Sequence, residues 1–361
     1  MQITMEMNGK ETKEKGKTII VIDSFKGCLT SAEANQAAAR AFDDAEEITV
    51  SDGGDGMLDA FAAAWGARKI DVPTHDALMR HRTGKIAIAG DTAIIEVAQA
   101  VGLPFIEPEQ RNPWTATSYG VGELIAEAVR RCCKHLIIGL GGTATSDCGI
   151  GMLHALIKLL THDGNIDDLH LSDIDVTLAT DVDNPLLGAN GAAAVFAPQK
   201  GADAEMVRRI EHRAETFSRL SALHCHKDES NTPGAGAAGG LGYAFLEFFN
   251  SRIDSGADML LRKLDFDQRL SGCRLVITGE GSSDRQTLMG KLPQRILAHC
   301  RQAEGKPRVW LIAGHVEDNA DLLKAGFDRV ININDGHLNA GEDPLDKNIA
   351  RRNIEAALKG Q

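Results

Sequence analysis

A chain of 361 residues is more than twice the roughly 150 typical of one domain, so two domains are expected and a small stapled module is excluded. Its 39 basic and 51 acidic side chains leave a formal charge of -12, and aromatics make up 4%. A nucleic-acid binder shows the opposite pattern, a basic stripe interleaved with stacking aromatics.

In chain order, residues 1–17 carry acids and no apolar stretch, so they read as a flexible N-terminal tail, neither secretory signal nor transit peptide. No apolar run approaches the roughly eighteen residues that cross a bilayer. The clearest strand is 18–22, and Thr30-Ser-Ala-Glu33 announces a helix with a capping-box pattern. Further strands are expected at 48–50, 86–88, 94–97, 136–140, 176–179, 275–278, 309–313 and 329–333. They alternate with Ala- and Leu-rich stretches, the pattern of strands buried on both faces and joined by crossover helices, so the fold class is α/β. Residues 226–238 form the most polar connection and read as a loop between two halves. Seven cysteines, none in CxxC spacing, suit neither a disulfide framework nor structural zinc and indicate a reducing, cytoplasmic setting. The triplet 224–226 (His-Cys-His) lacks a second cluster at ligand spacing and reads as a loop.

Glycine is unevenly spread: 18 of 37 fall in the segments 53–56, 120–122, 139–151, 234–242 and 279–290. Glycine gathered in this way marks backbone that turns sharply or comes close to a ligand. Several expected strands are followed by acids, glycines or both: Asp23 and Ser24 with Lys26, Asp52 with Asp55, the run from Gly141 to Thr145, Asp181 with Asp183, and Glu280 with Asp284. Each alone is an ordinary turn signal. Ligands of open α/β sheets bind outside the carboxyl ends of the strands, so five such signals with one polarity point to a shared crevice.

Segment 139–151 leads from a strand into a helix expected near Met152. It offers the amides of Gly141 and Gly142, the hydroxyls of Thr143 and Thr145, and a helix N-terminus as a cradle for phosphate or carboxylate oxygens. The Walker A pattern GxxxxGK[ST] occurs nowhere in the chain. Gly234 to Gly239 matches GxGxxG but follows a polar loop instead of a strand, so it is a weak dinucleotide fingerprint. Gly236 within it either approaches a ligand or lets helices pack closely. Segment 279–291 joins Glu280 and Asp284, able to hold Mg²⁺ directly or through water, to Arg285 and Lys291, able to offset phosphate charge.

The blocks IDSFKGCLTSAEA, SDGGDG, TSYGVGELI, GLGGTATSDCGIGML, DVDNPLLGANGAAAVFAPQKGA, PGAGAAGGLG and ITGEGSSDRQTLMGK stand in the order in which they occur in the bacterial glycerate kinase family. The chain resembles a class I member over about residues 19 to 315. That resemblance implies phosphorylation of D-glycerate by ATP and Mg²⁺, at the 2-hydroxyl, giving 2-phosphoglycerate. It also implies two α/β domains with the active site in the cleft. One is a flavodoxin-like, doubly wound domain from 18–70 and 275–361; the other is an inserted middle domain, 71–274, of restriction-enzyme-like topology. A monomer or homodimer without membrane or nucleic-acid partners is expected.

Within that reading Lys26, Ser24, Gly236 and the Gly141, Gly142, Thr143, Thr145 loop hold anionic oxygens. Asp181 is the first choice of proton acceptor and Asp284 the second, Asp52 and Glu280 are the metal ligands, and Lys200 and Lys291 stabilise the transferring phosphoryl. The chain departs from the family pattern at Ile22 for a proline, Met57 for a threonine, Ser146 for an asparagine, Cys148 for a glycine and Ser282 for an arginine. The segment 73–90 also lacks the usual Gly-Pro-Leu-Gly block. Two other readings stand beside the kinase: a nicotinamide-dependent oxidoreductase of a small hydroxy acid, from the GxGxxG match, and a non-catalytic small-acid sensor, from Met57, Cys148 and Ser282.

Overall fold

The computed structural model describes residues 16–25, 27–51, 53–54 and 56–359. Residues 1–15 of the expected tail therefore lie outside the described residues, and Lys17 already belongs to the first strand. Eleven strands among the described residues form two sheets: β1 (Lys17–Ile22), β2 (Ala45–Glu47), β3 (Arg68–His75), β4 (His81–Ala89), β5 (Thr92–Glu96), β6 (His135–Gly139), β7 (Asp175–Ala179), β8 (Asn250–Asp254), β9 (Cys273–Ser283), β10 (Arg308–Val316) and β11 (Arg329–Asn332). No helix among the described residues is long and apolar enough to cross a membrane.

The first sheet has the order β2-β1-β9-β10-β11, parallel throughout. Numbered by appearance within the sheet this is 2-1-3-4-5, the flavodoxin-like order, whose direction of winding reverses between β1 and β9. Burial on both faces follows from the sequence of β1. Ile19 and Val21 join the core beneath helices Met57–Trp65 and Leu292–Gln302, whereas Ile20 and Ile22 join the opposite core beneath Ser31–Ala39 and Lys347–Lys359. The Ser31–Ala39 helix begins as its residues predict: Thr30 and Glu33 close a reciprocal capping box.

The second sheet runs β3-β4-β5-β6-β7-β8, with the β3/β4 and β4/β5 pairs antiparallel and the remaining pairs parallel. One face packs on helices Tyr119–Arg130, Ile150–Leu160 and Ala237–Phe248. Ala87, Ile94, Ile137 and Ala179 on its other face share a core with Leu58, Phe61, Leu260 and Val276. Helices Met57–Trp65 and Gly256–Lys263 thus form a layer common to both sheets.

Three expectations need correction. The second strand is Ala45–Glu47, not 48–50; Ile48 and Val50 are buried just beyond it, where Ser31 and Asn35 supply their hydrogen bonds. β3 and β8 were not anticipated, and both are sheet edges. An edge strand has one unpaired side and needs no continuous apolar run; Pro73 sits comfortably in one. Residues 226–236 do form a loop, but they join helices Ala204–Cys225 and Ala237–Phe248 inside the β7-to-β8 connection and so do not separate the two sheets.

Candidate active site

The reversal of winding between β1 and β9 opens a crevice at their carboxyl ends. Asp23, just past β1, donates its amide to Gly279 O at 2.9 Å and, through Oδ1, accepts the amide of Ser24 at 2.7 Å. The end of β1 is held from below: Ser31 Oγ donates to Ile22 O at 2.6 Å, and Ile22 N donates to Asn35 Oδ1 at 2.9 Å. Opposite, β9 carries Glu280 into the crevice with 8% of its surface exposed. Its Oε1 accepts the hydroxyls of Thr287 at 2.6 Å and Ser283 at 3.1 Å, and its Oε2 pairs with Lys291 Nζ at 3.3 Å. A carboxylate, a lysine and two hydroxyls are thereby fixed in one orientation beside a cavity of about 620 Å³ that Asp23, Ser24, Glu280 and Lys291 help to line. Asp284 follows directly, its amide donating to Thr287 Oγ1 at 3.0 Å.

A second group gathers after β6. Lys200 is 3% exposed and its Nζ donates to Thr143 Oγ1 at 3.1 Å and Thr145 O at 2.6 Å. Burial pushes its pKa down to about 7, with Asp147 partly opposing. The amine thus faces the loop's own oxygens. Thr145 Oγ1 and Ser146 Oγ are buried without a hydrogen-bond partner. The helix expected near Met152 starts at Ile150, and its N-terminus is occupied by the chain itself. Asp147 Oδ2 accepts Gly151 N at 3.1 Å and both the amide and hydroxyl of Ser118, while Ser118 Oγ accepts Met152 N at 2.9 Å. That helix end is therefore already satisfied by the chain's own oxygens.

Gly53 and Gly54, beyond β2, lie against the second group. Gly53, at φ 99°, lies so close to β7 that a Cβ would stand 2.6 Å from Ala179 O, and a Cβ on Gly141 would stand 2.7 Å from Gly54 Cα. Glu96, at the end of β5, accepts Leu58 N at 2.9 Å and caps the helix that follows the loop. From the other side Arg295 pairs with Asp181 at 3.2 Å and with Asp258, and its Nε donates to Gly290 O at 2.7 Å. The carboxyl ends of both sheets thus face one region. Lys26 and Asp52 belong to it by sequence but lie outside the described residues.

Residues 18–357 match the model of the glycerate kinase family. The chain is 34% identical to the glycerate 2-kinase of Escherichia coli K12, over 95% of this chain and 98% of that protein. It is 35% identical to the glycerate kinase of Bacillus subtilis 168, over 88% and 90%. The chain belongs to the glycerate kinase family. A solved structure from Salmonella typhimurium LT2, assigned to glycerate kinase 2, superposes with a TM-score of 0.75 at 32% identity, covering 96% of this chain and 97% of that one.

Membership of the glycerate kinase family makes the protein a kinase, an enzyme that uses a nucleotide and a small-molecule substrate. Of the residues singled out in the sequence, Ser24, Glu280, Asp284 and Lys291 gather at the first-sheet crevice. Gly141, Gly142, Thr143, Thr145 and Lys200 gather after β6, and Asp181 bridges through Arg295. Gly236 donates its amide to Asn184 O at 2.9 Å, and its neighbour Gly239 packs against Thr145 O. The glycines of 234–242 are therefore explained by close packing, and the polar loop before them supplies no dinucleotide strand.

Three residues that sequence reasoning passed over are Glu96, Asp147 and Arg295. Glu96 carries the acid-after-strand signal used elsewhere, whereas Asp147 and Arg295 act on partners distant in sequence. Among the departures from the family pattern, Met57 is fully buried and would collide with a Cβ on Gly139. Cys148 holds φ 56°, a left-handed conformation natural to the glycine of the pattern, and burial pushes its thiol up to about 12. For a divalent cation the donor chemistry is suitable: Asp23, Ser24 and Glu280 offer hard oxygens in one crevice, the kind Mg²⁺ takes in ones and twos beside phosphate oxygens. Among the described residues no three His, Cys, Asp or Glu form a ready-made cage.

Proposed function

We propose that this protein transfers the γ-phosphoryl of ATP, with Mg²⁺, to the 2-hydroxyl of D-glycerate, giving 2-phosphoglycerate and ADP. The observation that carries this reading is the Glu280–Lys291 pair, 3.3 Å apart, at the switch point of a parallel sheet, in a chain similar along nearly its whole length to a glycerate 2-kinase. The hydroxyl oxygen forms a bond to the γ-phosphorus, the bond to the bridging oxygen of ADP breaks, and the hydroxyl proton passes to a carboxylate. Little covalent chemistry is asked of the protein beyond position and charge.

Asp181, anchored by Arg295, is our first choice of proton acceptor and Asp284 the second. Lys291 and Lys26 offset phosphoryl charge, and the Gly141 to Thr145 loop receives the substrate's carboxylate. Lys200 acts from behind that loop, holding Thr143 and Thr145. Glu280 and Asp52 would hold Mg²⁺, which when bound neutralises charge on the phosphate oxygens. Sheet membership supports a division into 18–70 with 275–361 against 71–274, although β3 already starts at Arg68. A cytoplasmic monomer or homodimer completes the proposal.

The test is incubation with ATP, Mg²⁺ and D-glycerate followed by ³¹P NMR against both phosphoglycerate isomers. A 3-phosphoglycerate signal overturns the regiochemistry, and no product from folded protein overturns the reaction. Asp181→Asn should lower turnover at least about a hundredfold; unchanged turnover in a folded variant removes Asp181 from the role of base.

A further inference from the structure

We infer that the apolar half of the crevice at the β1/β9 switch point is the seat of the nucleotide's purine base, with the phosphates directed toward Glu280 and Lys291. The inference rests on the proposed use of ATP and goes beyond it by naming the subsite. The crevice is lined by two chemically distinct sets of residues. One is charged, Lys291 and Glu280, paired at 3.3 Å. The other is apolar: Phe25, Cys28, Ile333, Leu338 and Leu345. A volume of about 620 Å³ falls within the roughly 300–1,000 Å³ of pockets that hold nucleotide- or drug-sized ligands, and far exceeds what a three-carbon hydroxy acid would fill. Such an acid is also nearly all polar, with nothing to cover these apolar walls.

Two further observations favour a resident apolar ring. Leu345 is 59% exposed at the rim, and Leu338 beside it is half-buried, although Phe25, Cys28 and Ile333 behind them are buried. Apolar surface left open over a cavity marks a place where a ligand completes the packing. The wall that carries the leucines is also pre-formed. Asn334 donates through Nδ2 to Gly314 O at 2.7 Å and accepts from Asn353 Nδ2 at 2.9 Å. Glu342 takes Arg352 at 2.7 Å and the amide of Asn339 at 2.9 Å, bonds that hold its carboxyl down at about 2. A slot with apolar walls and a carboxylate–lysine pair suits a planar base joined to a polyphosphate, and it needs no Walker loop to do so.

The test is equilibrium binding to the full chain by titration calorimetry, with ADP and with inorganic tripolyphosphate, in wild type, Leu345→Asn and Leu223→Asn. Leu223 is an exposed leucine on helix Ala204–Cys225, outside the crevice, and controls for the chemistry of the substitution. The wild type should bind ADP at least tenfold more tightly than tripolyphosphate, and adenosine should compete with ADP. Leu345→Asn should weaken ADP about fivefold or more while leaving tripolyphosphate within twofold, and Leu223→Asn should change neither. Equal affinity of the wild type for ADP and tripolyphosphate, or an unchanged ADP affinity in Leu345→Asn, overturns the base seat while leaving the kinase reading intact. A wild type that binds neither ADP nor ATP and forms no phosphoglycerate overturns the nucleotide-dependent reading itself.

Discussion

Replacing Lys200 by methionine perturbs a buried amine that donates to Thr143 Oγ1 and Thr145 O. In the folded chain burial holds its pKa at about 7, against an unfolded value of 10.5. Between those values the unfolded chain carries a proton that the folded chain does not, so stability rises with pH through this window; below about pH 7 both states are protonated and the dependence ends. Each unit of difference is worth about 1.4 kcal/mol, which integrates to a gain of about 2 kcal/mol for the wild type between pH 7 and 9. Lys200→Met cannot show that gain. It leaves Thr145 O and Thr143 Oγ1 without their donor, at about 1–3 kcal/mol, but no longer buries a charge. The variant should therefore be less stable than the wild type at pH 9, and the difference should shrink or reverse near pH 6. Urea unfolding of both proteins across this range, followed by tryptophan fluorescence, measures it. A difference that is flat from pH 7 to 9 would refute the reasoning, because it would mean that the folded amine keeps its ordinary proton affinity.

Three other outcomes are expected. Arg295→Met removes the link between Asp181 and Asp258 and should cost about 1 kcal/mol of stability at low salt and less at high salt, as urea midpoints at two ionic strengths would show. Glu280→Gln keeps an acceptor for Ser283 and Thr287 but removes the charge facing Lys291; its circular dichroism should be unchanged and ADP release with glycerate should fall at least about tenfold. Gly239→Ala sets a Cβ 2.1 Å from Thr145 O at φ 71° and should destabilise by about 2–4 kcal/mol, whereas a loss below about 0.5 kcal/mol in thermal unfolding would show that the loop yields easily.

Residues alone determined the elements whose cause is local. The runs of β1, β6, β7, β9 and β10 are apolar because both faces of a central strand are covered, and that requirement is visible without knowing what covers them. The capping box at Thr30 and Glu33 is closed within four residues. Acids and glycines after strands were legible for the same reason, since the carboxyl end of a strand is where a turn must be made. What the residues could not disclose depends on partners far along the chain. β3 and β8 declare themselves only through the strands they border. Nothing in the Pro-Gln-Lys run at 198–200 announces that Lys200 reaches Thr143 and Thr145, more than fifty positions away. Asp147 passes unnoticed in a glycine-rich loop until Ser118 and the Ile150–Leu160 helix are seen to use its oxygens. The side of the sheet on which a ligand can lie was likewise decided by strand order, because only the reversal between β1 and β9 separates neighbouring loops enough to leave a crevice.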